Sequence, residues 1–335
     1  MNDSKIHPLD LALEKSINGM SDESEKILRM QSQEDFRVLF NLGWHEMRHG
    51  NMIKAFEHFN YGRFINVFGL PPIQGKIWKD EPLDNKVLLF RCEGGYGDQI
   101  ANLRFAKKFE EMGARVLVSC SSDLKSLFSK NGFICINSEV AERAYYDYWV
   151  PAMSAPFLLN IEYNQLDGSK FLKSSNKRNL FSKKDTLKVG IRWSGNPEFE
   201  DEQHRRFPPE LMINLHEVPN TTFYSLQRDE NLVDGLPFGD LREQMKTWDD
   251  TADIISGCDL IITSCTSVAH LAGALGVPTW IVVPIMPYYT WVYPGDTSRW
   301  YDSVRLFRQQ KYIEWDAPFL KIREELTKLA QGIVK

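Results

Sequence analysis

The sequence predicts an α/β protein: two doubly wound, Rossmann-like halves behind an N-terminal helical cap. Three observations carry this. Short apolar runs alternate with amphipathic helical segments in two separate series, over 83–168 and 185–315, and such alternation builds parallel sheets covered by helices. A polar, basic stretch, Ser169–Lys184, divides the series and reads as an inter-domain linker. The first 70 residues have a helical period instead, and 335 residues suit two domains and an appendage.

In the cap, Leu39, Leu42, Gly43, Gly50, Ala55, Phe59 and Gly62 place small residues where two antiparallel helices touch, with Gly50-Asn51 as the turn. This resembles one tetratricopeptide repeat of about 34 residues, although Glu46 stands where the repeat usually has an aromatic. A plain helical hairpin is the competing reading. Gly69-Leu70-Pro71-Pro72, continuing to about Pro82, reads as a linker.

Strands of the first series are expected at Lys86–Arg91, Ala114–Val118, Phe133–Ile136 and Tyr145–Val150, with helices over Ile100–Met112 and Ser121–Lys130 between them. The second series predicts strands at Lys188–Trp193, Thr221–Leu226, Leu260–Thr263 and Thr279–Val283. Its helices are expected at Pro208–His216, Thr251–Gly257 (capped by Asp249 or Asp250) and Ser267–Leu275, and a last helix at 316–335. Ligands of such folds sit at the carboxyl ends of the strands, so the cleft between the halves is the expected site.

Composition limits the function classes. Forty Lys+Arg against 45 Asp+Glu leave a formal charge of −5, so no global basic field collects nucleic acid. The 5 cysteines are widely spaced without a CxxC pair, which argues against a disulfide scaffold and a structural zinc site. No apolar run reaches the ~20 residues that span a bilayer, and none at the N-terminus has signal-peptide length. A cytoplasmic protein is expected.

Four segments could carry chemistry. In Glu93-Gly94-Gly95-Tyr96-Gly97-Asp98-Gln99, the glycines let backbone approach a ligand, and Gln99 opens the helix behind them. As a dinucleotide fingerprint the segment fails, because Ile100 takes the third glycine position. Asp98 is either a helix cap or a fixed carboxylate suited to accept a proton. In Thr263–Gly276, a strand ends in Ser264-Cys265-Thr266-Ser267 and opens into a helix bearing His270. Hydroxyls and free amides at a helix start cradle a diphosphate. Third is Trp193-Ser194-Gly195-Asn196-Pro197 with His204-Arg205-Arg206, where an arginine fork matches phosphate oxygens. Fourth is Pro284-Ile285-Met286-Pro287-Tyr288-Tyr289-Thr290-Trp291, whose rings either stack on a base or sugar or simply pack.

Taken in order, EGGYGDQIANLRF, GIRWSGNPEF, HRRFPPELM, FYSLQ, DDTADII, TSCTSVAHLAGALGVPTWIVVP and YTWVYPGDTSRWYDSVRLFRQ resemble the tetratricopeptide-associated glycosyltransferases related to the heptosyltransferase group, glycosyltransferase family 9. The similarity runs over roughly 35–335. It implies a GT-B fold: two Rossmann-like domains facing a cleft, an acceptor-binding one (83–168) and a nucleotide-sugar one (185–315). It also implies inverting, metal-independent transfer from a nucleotide-diphosphate sugar to an acceptor hydroxyl, with no cofactor.

Residue by residue, the resemblance makes Asp98 the general base and places Gly95, Gly97 and Gln99 in a phosphate or acceptor loop. Arg205, Thr266, Ser267 and His270 become donor-diphosphate ligands. Trp193, Ser194, Gly195, Gln227 and Cys265 fall on the donor nucleotide and sugar. Two departures stand out: Cys265 replaces an aspartate that contacts the donor sugar, and Gly94 replaces a residue that is often glutamine. Expected partners are a nucleotide sugar, an acceptor the sequence does not name, and a protein docking on the cap, with nucleic acid less favoured and no membrane span. The competing functions are a catalytically inactive GT-B binding module, a sugar-nucleotide epimerase, and a viral enzyme glycosylating hydroxymethylated bases in DNA.

Overall fold

The apolar runs of the sequence form two parallel sheets, and the helical periods cover them. The computed structural model describes residues 6–68, 75–176, 186–199, 202–228 and 235–332. The first linker's core (69–74) and much of the second (177–185) lie outside these residues.

Among the described residues the cap holds four α-helices: α1 (Pro8–Ile17), α2 (Ser21–Arg29), α3 (Phe36–Arg48) and α4 (Met52–Phe59). The expected hairpin is α3–α4; α1 and α2 are additional. Gly50 turns the hairpin at φ +82°, a conformation that favours glycine, and the bare face of Gly43 receives the Phe59 ring. Glu46 is buried, and its carboxylate accepts from Arg29 (2.8 Å) and Asn51 (2.9 Å). A polar junction therefore stands where the repeat would pack an aromatic.

The first half comprises β1 (Val87–Arg91), α5 (Tyr96–Glu111), β2 (Arg115–Ser119), α6 (Ser122–Lys130), β3 (Ile134–Ile136), the short α7 (Ser138–Ala141), β4 (Tyr148–Pro151) and the short α8 (Ala155–Leu158). Its sheet has the order β3-β2-β1-β4, all parallel. Residues 75–82 are not a free linker. Trp78 is buried, and Lys76 and Trp78 bond to the backbone of Trp149, adding a short bridge at the β4 edge.

The second half contains β5 (Leu187–Arg192), α9 (Glu202–Arg205), α10 (Glu210–His216), β6 (Thr221–Ser225), β7 (Gly239–Asp240), α11 (Trp248–Ile255), β8 (Leu260–Ser264), α12 (Ser267–Leu275), β9 (Thr279–Val283), β10 (Val304–Arg308) and α13 (Asp316–Gln331). Its sheet order is β10-β9-β8-β5-β6-β7. β10 escapes the sequence reading because Arg305 and Arg308 interrupt its apolar pattern at the sheet edge. The α11 cap is Thr247, not either aspartate: Thr247 Oγ1 accepts from Asp250 N (3.1 Å) while the Asp250 carboxylate accepts from Thr247 N (3.0 Å).

The halves do not merely face one another. One apolar cluster runs from Phe56 and Phe59 in the cap through Ile100 and Leu103 of α5 to Val268, Leu271 and Ala272 of α12. The described start of the second linker straps this seam: Phe171 and Leu172 N–H groups bond to Ala274 O, and Asn176 N to Asp253.

Candidate functional site

Asp98 lies in the first turn of α5, which starts at Tyr96, four residues before the expected Ile100. Its Oδ2 accepts from Gly95 N (3.0 Å) and its Oδ1 from the Tyr288 hydroxyl (3.0 Å). Asp98 is thus a helix cap and a buried carboxylate at once. Burial pushes its pKa up to about 6, against the two hydrogen bonds and the Arg205 charge, which favour the ionised form. Gly94 has φ +71°, and a Cβ there would sit 2.6 Å from the Asp98 carboxylate, so this turn favours glycine. Gln99 clasps the turn to the start of α6: Nε2 donates to Gly94 O (3.2 Å) and Ser121 Oγ (2.7 Å), and Oε1 accepts from Ser121 N (2.9 Å).

Across the seam, α12 begins where β8 ends, with Thr266 buried at its N-cap and no side chain capping it. Gly97 lets the two helix starts meet, since a Cβ there would lie 2.9 Å from His270 Cδ2 and 3.5 Å from Ser267 Cα. His270 stacks on Trp291 (5.0 Å) and shares Nδ1 with the Tyr301 hydroxyl (3.1 Å). Its pKa is lowered to about 3, by burial first and by Arg104 and Arg205 second. It brings a neutral imidazole to the helix start, not a charge.

Arg205 closes the group. Its Nη1 donates to Cys265 O (2.8 Å), its Nε to buried Glu202 (2.5 Å), and its guanidinium lies 4.4 Å over the Phe199 ring. Glu202 also accepts from Gly195 N (2.5 Å), so Gly195 leaves room for this pair. The Cys265 thiol turns away towards Val282 O (3.7 Å) and stays neutral, its pKa pushed up to about 12 by burial.

The remaining donor-side residues lie deeper. Trp193 packs in the second-half core with Phe207 and Met212. Ser194 Oγ accepts from buried Gln227 Nε2 (2.9 Å), so these two hold the ends of β5 and β6 together.

Several site residues escape the sequence reading. Tyr288 belongs to a loop noted for its rings, but its bond to Asp98 spans 190 positions, which no local pattern reveals. Trp44 of α3 packs against Tyr288 (5.4 Å) and Tyr289 (5.9 Å), bringing the cap onto the site. Arg63 forms a buried, two-pronged pair with Glu93 (2.8 and 2.6 Å), tying the end of the cap to the glycine turn. Among the described residues, no group of three His, Cys, Asp or Glu could hold a metal ion, and no helix is long and apolar enough to cross a membrane.

No family model matches the chain, and no curated protein matches it. Solved structures do. ADP-heptose lps heptosyltransferase II of E. coli aligns at 14% identity and a TM-score of 0.52, over 75% of this chain and 100% of its own. A glycosyl transferase family 9 protein of Veillonella parvula DSM 2008 aligns at 10% identity and a TM-score of 0.55, over 76% of this chain and 99% of its own. The likeness is one of fold: the chain shares the two-sheet α/β architecture of these glycosyltransferases.

Proposed function

We propose that the chain is a GT-B glycosyltransferase that moves a sugar from a nucleoside-diphosphate donor to an acceptor hydroxyl, with inversion and without a metal. One observation supports the reading: the turn that carries the buried Asp98 carboxylate abuts the hydroxyl-lined start of α12 at Gly97, and the charge of Arg205, bonded to Cys265 O, reaches Asp98 across the seam. The heptosyltransferase with the same fold uses an ADP-heptose donor by its name, which suggests the donor class here and leaves the sugar open.

In this mechanism Asp98 takes the acceptor proton, relayed through the Tyr288 hydroxyl that touches it. The acceptor oxygen attacks the anomeric carbon as the bond to the nucleoside diphosphate breaks, so one displacement inverts the centre. Arg205, Thr266, Ser267 and the free amides of α12 stabilise the charge leaving on the diphosphate, and neutral His270 adds a hydrogen-bonding group. Gly95, Gly97 and Gln99 shape the turn that carries Asp98. Trp193, Ser194, Gly195 and Gln227 form the frame under the nucleotide. Cys265 offers no carboxylate to the donor sugar, which disfavours heptose.

A thermal-shift panel of nucleoside diphosphates and nucleotide sugars tests the reading. A ligand at about 100 times its Kd stabilises by ~2.7 kcal/mol, so at least one should raise the Tm clearly. A flat response across the panel sinks the proposal. Cys265 also favours a second reading, a donor-binding module without transfer, which would respond in the panel yet release no nucleoside diphosphate.

A further inference from the structure

Beside Asp98 and Arg205 lies a cavity of about 480 Å³, within the range of small-molecule sites. The cap roofs it through α1, α2 and α3, and the Pro284–Tyr288 loop and Arg205 form its floor. Its walls are flat: Phe40 packs edge-on to Trp44 (6.1 Å), Trp44 against Tyr288 (5.4 Å), and Phe199 lies under Arg205 (4.4 Å). Polar groups run along the roof as a neutral chain, in which Ser16 Oγ donates to Ser24 Oγ (2.9 Å) and Ser24 meets His45 Nε2 (3.4 Å).

The charges at this cavity are few and mostly paired. Among the described residues no Asp or Glu lines it. Arg205 is paired with Glu202 and serves the donor diphosphate in the proposed reaction, while Arg48 pairs with Asp22 and Glu25 through Nη2 and keeps its buried Nε without a partner. His45 is neutral, its pKa lowered to about 4 mainly by burial. With Arg205 committed to the donor, a multiply charged acceptor would have to shed water here against the single, already part-paired Arg48, which is costly. A ring with an apolar face would instead stack on the aromatic walls while its hydroxyls met serine, imidazole and amide groups. The inner end is one hydroxyl from the carboxylate, because Tyr288 both lines the cavity and donates to Asp98.

We propose that this cap-roofed cavity is the acceptor subsite, and that the acceptor is an uncharged, hydroxylated ring compound with a flat aromatic or apolar face. The assignment rests on the glycosyl-transfer reading and narrows it: long polyanions such as DNA do not fit. The cap is then part of the active site as well as a packing partner.

Phenyl β-D-glucopyranoside is the probe, titrated calorimetrically into the full chain beside methyl β-D-glucopyranoside, phenyl phosphate and a short DNA oligonucleotide. The phenyl glucoside should bind about tenfold or more tightly than the other three, the worth of one buried aromatic stack. Two variants locate the site. Trp44→Ala removes a wall, and Leu13→Trp fills the rim from a half-exposed position without removing a packed side chain. Each should weaken phenyl glucoside about tenfold or more. The proposal is overturned if phenyl glucoside fails to bind at about 10 mM, where a millimolar ligand would saturate. It is equally overturned if any of the other three binds as well, or if Leu13→Trp binds the probe like wild type. Parallel titrations with ADP and UDP separate the two claims: lost nucleotide binding with retained glucoside binding contradicts the transferase reading and leaves the cavity assignment standing.

Discussion

Asp98 is the residue on which sequence and structure converge, and its burial has two measurable consequences. With its pKa raised from 3.8 to about 6, the carboxyl is favoured neutral in the folded state. That stabilisation is full below pH 3.8 and lost as pH rises through 6, leaving a buried charge that costs about 2–3 kcal/mol above it. Asp98→Asn keeps the shape and removes the charge, so its Tm should exceed that of wild type at pH 8 and approach it near pH 4, as a pair of melting series would show. Transfer by the wild type should fall as pH drops through about 6, where the base protonates. Tyr288→Phe deletes both the proton relay and a donor to Oδ1, so transfer should slow and the acid limb of the remaining pH–rate profile should move upward. An unmoved limb would show that Tyr288 does not govern this group.

At the scale of elements, the contact between α5 and α12 depends on Gly97. Gly97→Ala would press a methyl group to 2.9 Å from His270 and force the helix starts apart. Overpacking of this kind costs about 1–3 kcal/mol, so a lowered Tm together with weakened nucleotide binding is expected. The Arg63–Glu93 pair is a second element-scale test. Its side chains are 10% and 4% exposed, and removing one partner strands a buried charge at a cost of about 3–5 kcal/mol. Arg63→Met should lower urea stability by that order, and a loss below about 1 kcal/mol would contradict a buried pair. The same elements mark what was legible in the sequence. Strands such as Thr279–Val283 and helices such as Ser267–Leu275 appear at the expected positions, because buried parallel strands read as apolar runs and α12 opens on a hydroxyl cluster. Thr266 and Ser267 sit at the start of α12 as expected, whereas Gly97, Asp98 and Gln99 lie inside α5, which begins four residues before the expected Ile100. Tyr288, Trp44 and Arg63 were not, since each owes its place to a partner distant in the chain and its own neighbourhood resembles ordinary packing.

At the scale of the whole molecule, the net charge of −5 does not oppose an anionic donor, because helix starts, hydroxyls and one arginine concentrate positive potential locally. The expected cleft between the halves is partly filled. α5 and α12 share a packed seam, and the cap closes the space beside it through Trp44. For the proposed reaction, a site built this way would exclude water from a donor prone to hydrolysis. The central claim is catalytic transfer by Asp98 from a donor held at α12. Its most direct test is nucleoside-diphosphate release from the donor that stabilises the chain, measured with phenyl β-D-glucopyranoside present for wild type and Asp98→Asn. The account predicts release by wild type, a fall of about a hundredfold or more in the variant, as for a lost general base, and an unchanged thermal shift with nucleotide in both. Release that survives the substitution at near wild-type rate would contradict it.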